Sequence, residues 1–406
     1  MTATERLLKY VKINTQSNEN SDETPSDKNV FKLAEILADE LRGLGVNDVN
    51  IDYSSGCLYA LIPPTPGYEN RKKIGFIAHM DTSPDYSGEN VNPQIHENYD
   101  GKDVELGNSG KILKVSDFPH LAKLKGRTLI TTDGNSLLGA DDKAGISAIM
   151  TMVEQVINEK IPHGQISVAF TPDEEVGRGA DNFDVARFNA EYAYTVDGDD
   201  EGEIVYENFN AASAVIKVNG FNVHPGSAKN TMINAALVLM ELNSMLPAAD
   251  IPSRTDNYEG FYHLTSISGD VESARASYII RDHSKEMFNA RKYLITHAVE
   301  ILNEKYGKNT VDLQIKDSYY NMCEIIKEYP DVVETAKSAI KNVGLDPIST
   351  PIRGGTDGAR LTFMGLPCPN LGTGGHAFHG PYEHITSEGL DLAAKVVIEI
   401  VRLWAE

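Results

Sequence analysis

Three short runs of this chain are almost wholly apolar, and each ends in a group able to bind a proton or a metal. Ile74 to Ala78 stops at His79, Gln165 to Thr171 leads into Asp173-Glu174-Glu175, and Tyr192 to Val196 stops at Asp197. A short apolar run without polar alternation marks a strand buried on both faces, and such strands belong to parallel sheets covered by helices. That constraint favours a layered α/β fold. Ligands in such folds sit in the crevice beyond the carboxyl ends of the strands. Chemistry is therefore expected where these runs stop.

The intervening sequence supplies the helices. Ser26 or Asp27 can cap a helix through Leu44, with Leu33, Ile36, Leu37 and Leu41 at helical spacing and Gly43 and Gly45 as stops. Cys57 to Ile62 and Thr128 to Thr131 read as strands, residues 82 to 126 as a long polar excursion, and Lys143 to about Lys160 as a strongly periodic helix. Near Asn208 the pattern changes. A strand Ser213 to Val218, a loop holding His224, a helix Met232 to Met245, a strand Tyr278 to Arg281 and a helix Ser284 to Lys305 suggest a β-α-β-β-α-like insertion. The α/β pattern then resumes, with helices near Val332 to Val343 and Ser387 to Leu403. The expected domains are a discontinuous 1–208 with 318–406 and an inserted 209–317.

Charge and cysteine use exclude several classes. With 37 basic against 59 acidic residues, a net of -22, and no Lys/Arg stripe, nucleic acid is not an expected partner. The 3 cysteines, Cys57, Cys323 and Cys368, lie far apart and form no Cys-x-x-Cys pair, consistent with a reducing cytosol and a cytoplasmic location. Met1 to Lys12 reads as an amphipathic helix instead of a signal peptide, and no apolar run is long enough to span a membrane.

At the first strand end, His79 and Asp81 are two apart, so period-2 geometry points both side chains the same way and Asp81 can hold the imidazole. Gly139-Ala-Asp141-Asp142-Lys-Ala-Gly145 places two carboxylates on a tight loop opening into a helix, where simple capping is the plainer reading. Glu174 and Glu175 are adjacent in an extended segment, so their side chains diverge and can take different roles. The glycine-rich stretch Gly372 to Gly380 offers His376 and His379, and spacing alone leaves either as a ligand. Other patterns fail: His96-Glu-Asn-Tyr-Asp100 lacks the second histidine of a His-Glu-x-x-His site, and there is no Gly-x-Ser-x-Gly elbow or phosphate loop.

Taken together, Ala78-His-Met-Asp81, Gly139 to Gly145, Pro172-Asp-Glu-Glu-Val-Gly177, His224-Pro-Gly226 and Arg353-Gly-Gly-Thr-Asp-Gly358 resemble the M20 clan of co-catalytic zinc exopeptidases over essentially the whole chain. The resemblance implies a zinc-exopeptidase-like α/β catalytic domain with an inserted smaller α+β, ferredoxin-like, lid or dimerisation domain. It implies two zinc ions, one bound by His79 and Asp197, the other by Glu175 and His379, with Asp141 bridging them. His379 is preferred over His376 because His379-Gly380 with Glu383 matches the family's terminal motif. Glu174 would be the general base, Asp81 the residue orienting His79, His224 an oxyanion donor, and Arg281 and Arg353 substrate-binding groups. The implied activity is that of an aminopeptidase acting on short peptides, tripeptides above all, with a homodimer among the expected partners. Dipeptide cleavage or deacylation of N-acyl amino acids are the alternatives within the family. A non-catalytic peptide- or metal-binding protein is the alternative outside it, and Glu174 separates the two, since a binding module has no use for a general base.

Overall fold

The computed structural model describes residues 1–406. It divides into two compact units: Met1–Tyr206 with Glu324–Thr350 and Thr356–Glu406, and Glu207–Cys323 with Pro351–Gly355. The strands that build the two principal sheets are, in chain order, β1 (Asp48–Ile51), β2 (Leu58–Ile62), β3 (Ile74–His79), β4 (Ile166–Thr171), β5 (Tyr192–Gly198), β6 (Ile204–Val205), β7 (Asn210–Asn219), β8 (Phe261–Gly269), β9 (Ser273–Asp282), β10 (Val311–Tyr319) and β11 (Asn370–Gly372). The main helices are α1 (Ala3–Tyr10), α2 (Val30–Gly43), α3 (Ala140–Asn158), α4 (Ala235–Met245), α5 (Lys285–Tyr306), α6 (Pro330–Asn342), α7 (Asp357–Phe363) and α8 (Ser387–Ala405). No helix is long and apolar enough to cross a membrane.

In the larger unit a seven-stranded sheet runs in the order β1-β2-β4-β3-β5-β11-β6. Its centre, β4-β3-β5-β11, is parallel, and the flanking pairs are antiparallel. Ile74 lies level with Ile166 and Tyr192, and His79 with Thr171, so the central strands end together. The apolar runs behave as read: β3 and β4 are buried at every residue. Ile77, Ala169 and Ala193 pack with Phe183, Phe188 and Leu361, while α3 lies against β3, β5, α1 and α8. Burying a side chain of the size of Phe170 contributes about 2 to 3 kcal/mol. Gly145 lets α3 come close, because a Cβ there would lie 1.8 Å from the carbonyl oxygen of Val196.

The start of α2 differs from the sequence expectation. Its N-cap, Asn29, makes no side-chain cap, and the helix begins at Val30. Ser26 is drawn away instead, its N–H donating to both carboxylate oxygens of Asp173 at 2.9 and 2.8 Å.

The smaller unit is a β-α-β-β-α-β arrangement of β7, α4, β8, β9, α5 and β10, with antiparallel sheet order β8-β9-β7-β10. This is the ferredoxin-like order. Its core joins Ile216 and Ile280 from the sheet to Leu239, Phe288 and Leu302 from the helices. Both edge strands, β8 and β10, were missing from the sequence reading. β8 carries the polar stretch Thr265-Ser-Ile-Ser268 and is largely exposed. Where the sequence suggests an insertion at 209–317, the compact unit is wider and takes in Pro351–Gly355. The reason is Arg353, whose guanidinium donates to the carbonyl oxygens of Asn257, Glu259 and Thr255 within that unit.

Candidate metal centre

The level ends of the parallel strands bring the expected residues of the larger unit together. His79 is the last residue of β3, Glu174 and Glu175 follow β4 in a single turn, and Asp197 lies at the end of β5. His379 comes from the segment after β11, and Asp141 from the non-helical lead-in to α3. The His79 Nε2 atom is 2.9 Å from Asp141 Oδ1 and 3.4 Å from Asp197 Oδ1. The His379 Nε2 atom is 3.2 Å from Asp141 Oδ2 and 2.9 Å from Glu175 Oε2. Two three-residue groups result, His79-Asp141-Asp197 and Asp141-Glu175-His379, with ligand atoms of each within 4.8 Å of one another. Asp141 belongs to both, offering one oxygen to each.

His376 does not join them. Its Nε2 faces Asp200 at 3.8 Å, and its ring lies tilted against that of His120 with centroids 4.1 Å apart. Asp81 works on two sides. Its carbonyl oxygen lies 3.0 Å from His79 Nδ1, with its carboxylate at 3.3 Å, and the same carboxylate accepts the N–H groups of Glu174 (3.1 Å) and Glu175 (3.2 Å). With Nδ1 so held, Nε2 is the ring nitrogen that His79 presents to the cluster. His379 Nδ1 faces Asp85 at 3.4 Å. Two non-glycine residues here, Asp173 at φ 60° and His379 at φ 64°, occupy the left-handed region. Such a conformation costs on the order of 1 kcal/mol and persists where the surroundings enforce it.

The electrostatics call for cations. Burial and neighbouring carboxylates push Asp197 and Glu175 up to about 7, and burial, Asp197 and Asp357 push Glu174 well above the usual carboxylate range. Burial alone would raise Asp141 too, but its contacts with His379 and His79 hold it low. Hydrogen bonds to Asp141 and Glu175 lift His379 to about 11, and the field of Asp197 and Asp141 lifts His79 against its burial. Three carboxylates thus compete for whatever positive charge is near, and the imidazoles supply it only by holding protons. Glu175 Oε1 is buried and has no hydrogen-bond partner, an acceptor left over. Mixed imidazole and carboxylate donors, three per group with one shared, fit a pair of divalent ions with room for a reacting molecule.

Sequence reasoning named Asp142 only as a helix cap and Asp357 only within a motif, and missed Arg360. The Asp142 carboxylate is fully buried and accepts N–H from His79 (3.2 Å) and Gly145 (3.0 Å), tying the end of β3 to the start of α3. Its position beside Asp141 was the available signal. Asp357 in α7 accepts from Thr171 Oγ1 at 3.2 Å and occupies the place a Cβ on Gly179 would need, 2.3 Å away. Arg360, one turn on, donates to the carbonyl oxygen of Gly177 and pairs with Asp181, so α7 grips the loop that carries Glu174.

The remaining expected residues lie in the smaller unit. His224 is exposed, and its Nδ1 accepts the N–H of Gly226 at 3.1 Å, which leaves the ring proton on Nε2. Arg353 spends both terminal nitrogens on Asn257, Glu259 and Thr255, and its guanidinium lies 5.0 Å from the centre of the Phe209 ring. Arg281 donates to the carbonyl oxygen of Arg353 at 2.8 Å, while its buried Nε has no partner.

A model described as peptidase family M20/M25/M40 matches residues 131–403. A protein of Halothermothrix orenii named Peptidase T is 54% identical over 403 residues, covering 99% of this chain and 98% of its own length. A Peptidase T of Clostridium perfringens is 53% identical over 403 residues with the same coverage. Among solved structures, aminopeptidase PepT from Bacillus cereus superposes with a TM-score of 0.80 at 23% identity, covering 100% of this chain and 98% of that one. A tripeptidase from Staphylococcus aureus gives 0.78 at 22% identity, covering 99% and 98%.

Proposed function

The chain belongs to peptidase family M20/M25/M40, and from that premise we propose that it is a metallo-aminopeptidase that releases the N-terminal residue of tripeptides. One observation carries the reading: two three-ligand groups that share Asp141, with the half-buried Glu174 beside them. The names of its relatives, Peptidase T among them, support the substrate class.

In this reading His79, Asp141 and Asp197 hold one zinc ion and Asp141, Glu175 and His379 the other. Divalent ions held there would supply Lewis acidity toward the scissile carbonyl and toward water near neutral pH. The chain's own residues do the rest. Glu174 takes a proton from the water as its oxygen bonds to the carbonyl carbon, then returns it to the nitrogen as the C–N bond breaks. Burial suits Glu174 to both halves of that transfer, because it raises the proton affinity of the carboxylate. Asp81 sets the His79 tautomer and, through the Glu174 amide, the position of the base. His224 has its Nε2 proton available to donate to the oxyanion. Arg281 and Arg353 are the proposed anchors of the substrate carboxylate. The unpartnered Nε of Arg281 supports it, whereas Arg353 must release carbonyls of its own unit to take a carboxylate. A cytoplasmic location, a role in peptide breakdown and a homodimer belong to the same reading.

The test is kcat/KM for matched di-, tri- and tetrapeptides and a tripeptide C-terminal amide, with and without zinc, in wild type, Arg281→Ala and Arg353→Ala. Wild type should favour the tripeptide acid and lose turnover on chelation. Losing a charge-assisted carboxylate contact costs about 1.5 to 3 kcal/mol, roughly 10- to 150-fold in kcat/KM. Equal rates on acid and amide in wild type would remove the carboxylate anchor, and metal-independent turnover would remove the mechanism.

A further inference from the structure

Glu383 is 1% exposed and belongs to neither ligand group. Its Oε2 accepts the N–H groups of Leu138 at 2.6 Å and Gly139 at 2.8 Å, and its Oε1 accepts that of Asp141 at 3.0 Å. A helix start leaves its first N–H groups without intrahelical partners, and an oxygen-bearing N-cap side chain normally takes one of them. Asp142 does so for α3: Asp141 and Asp142 have non-helical φ/ψ, and Asp142 Oδ1 accepts the N–H of Gly145 at 3.0 Å. The N–H groups of Leu138, Gly139 and Asp141 belong to the loop before the helix, and Glu383, far along the chain, is their acceptor.

The other side of Glu383 faces the second ligand loop. Its own N–H donates to the carbonyl oxygen of Gly380 at 3.3 Å, next to His379. One residue thus grips the loop that presents Asp141 and the turn that presents His379. Asp141 Oδ2 and His379 Nε2 lie 3.2 Å apart between them.

We propose that Glu383 is a positioning residue of the metal centre: by receiving the N–H groups of Leu138, Gly139 and Asp141, it fixes the shared carboxylate of Asp141 against His379 and sets the affinity for the ion those two residues share with Glu175. The proposal rests on the reading of Asp141 as bridging ligand. In Glu383→Gln an NH2 replaces one of the two acceptor oxygens and confronts backbone donors, so at least one buried N–H loses its partner.

The experiment is a zinc titration of metal-free protein by competition with a chromophoric chelator, for wild type, Glu383→Gln, Glu383→Asp and Glu388→Gln, with kcat and KM measured alongside. Glu388 is the control: it accepts the N–H of Thr128 through both oxygens, at 3.1 and 2.9 Å, at the start of α8. Wild type should bind two equivalents. Glu383→Gln should weaken the second equivalent by about 10- to 100-fold, the usual effect of losing an outer-shell partner, and lower kcat with little change in KM. Glu383→Asp keeps both oxygens and should fall between the two; if Glu383→Gln does not fold, Glu383→Asp is read against wild type in its place. Glu388→Gln should leave zinc affinity unchanged. Wild-type affinity and kcat in the Glu383 variants, or an equal loss in Glu388→Gln, would overturn the proposal. Fewer than two equivalents in wild type would instead overturn the bridging reading beneath it.

Discussion

Two neighbouring glutamates, one bond apart in sequence, have different surroundings. Glu175 Oε2 meets His379 at 2.9 Å, whereas the field on Glu174 comes from Asp197 and Asp357. Glu174→Gln should therefore keep both ions and lose about 10²-fold or more in kcat, the cost of removing a general base. Glu175→Gln should lose the second zinc first. Metal analysis beside steady-state kinetics separates them, and exchanged phenotypes would show the roles reversed. The sequence reading placed the pair in an extended segment; they lie instead in the single 3-10 turn Glu174–Val176, where three residues per turn also point successive side chains in different directions. The contacts of Glu383 and Arg353 were not legible. Their partners are backbone groups up to 245 residues away, and a backbone N–H or carbonyl leaves no mark on composition or spacing.

At the level of elements, two packing contacts decide whether the ligands can be presented at all. Substituting Gly145 by Ala would drive a Cβ to 1.8 Å from the carbonyl oxygen of Val196, an atom of β5 that cannot rotate away. Overpacking of this kind costs about 1 to 3 kcal/mol. Since Asp141 and Asp197 lie on the two elements forced apart, Gly145→Ala should lower zinc content as well as Tm. A normal zinc content would show that the contact relaxes elsewhere. The second contact is Arg6 of α1, 1% exposed, which donates to Glu40 of α2 and Glu154 of α3, each at 2.7 Å. Arg6→Ala leaves Glu40 with Lys9 at 3.2 Å and Glu154 with the Met1 ammonium at 3.0 Å, and should cost about 1 to 3 kcal/mol in a urea titration. Both acids sit below their ordinary value of 4.5; burial works against this, and the bonds to Arg6 and their other partners outweigh it. Their contribution is thus fully present above pH 4.5 and lost as pH falls through the lowered folded values. Wild type should lose stability across that acid range, and Arg6→Ala should lose less. The apolar strands and periodic helices could be read from sequence because burial on both faces, or on one helical stripe, imposes a pattern. The edge strand β8 could not, since an exposed edge imposes none. β10, by contrast, carries the alternation Val311-Asp-Leu313-Gln-Ile315 that the sequence reading passed over.

For the molecule as a whole, the five proposed ligands and Glu174 all fall in the larger unit, and His224, Arg281 and Arg353 in the smaller. Ligand binding stabilises only what it binds, by about 2.7 kcal/mol at a hundredfold excess over Kd. Scanning calorimetry with and without chelator should therefore shift the transition of the larger unit and leave that of the smaller in place. Equal shifts in both would mean that the units melt as one. The ligand set also has a time order. The strand ending at His79 is synthesised early, while His379 and Glu383 arrive about 300 residues later, roughly 15 to 60 s at about 5 to 20 residues per second. Once Asp197 is made the first proposed group has its three residues, but the second lacks His379, and the loop that carries Asp141 lacks Glu383. A ribosome-bound chain therefore cannot assemble the paired metal centre on which the proposed hydrolysis depends, and the cell meets this peptidase only after its C-terminal segment has been made.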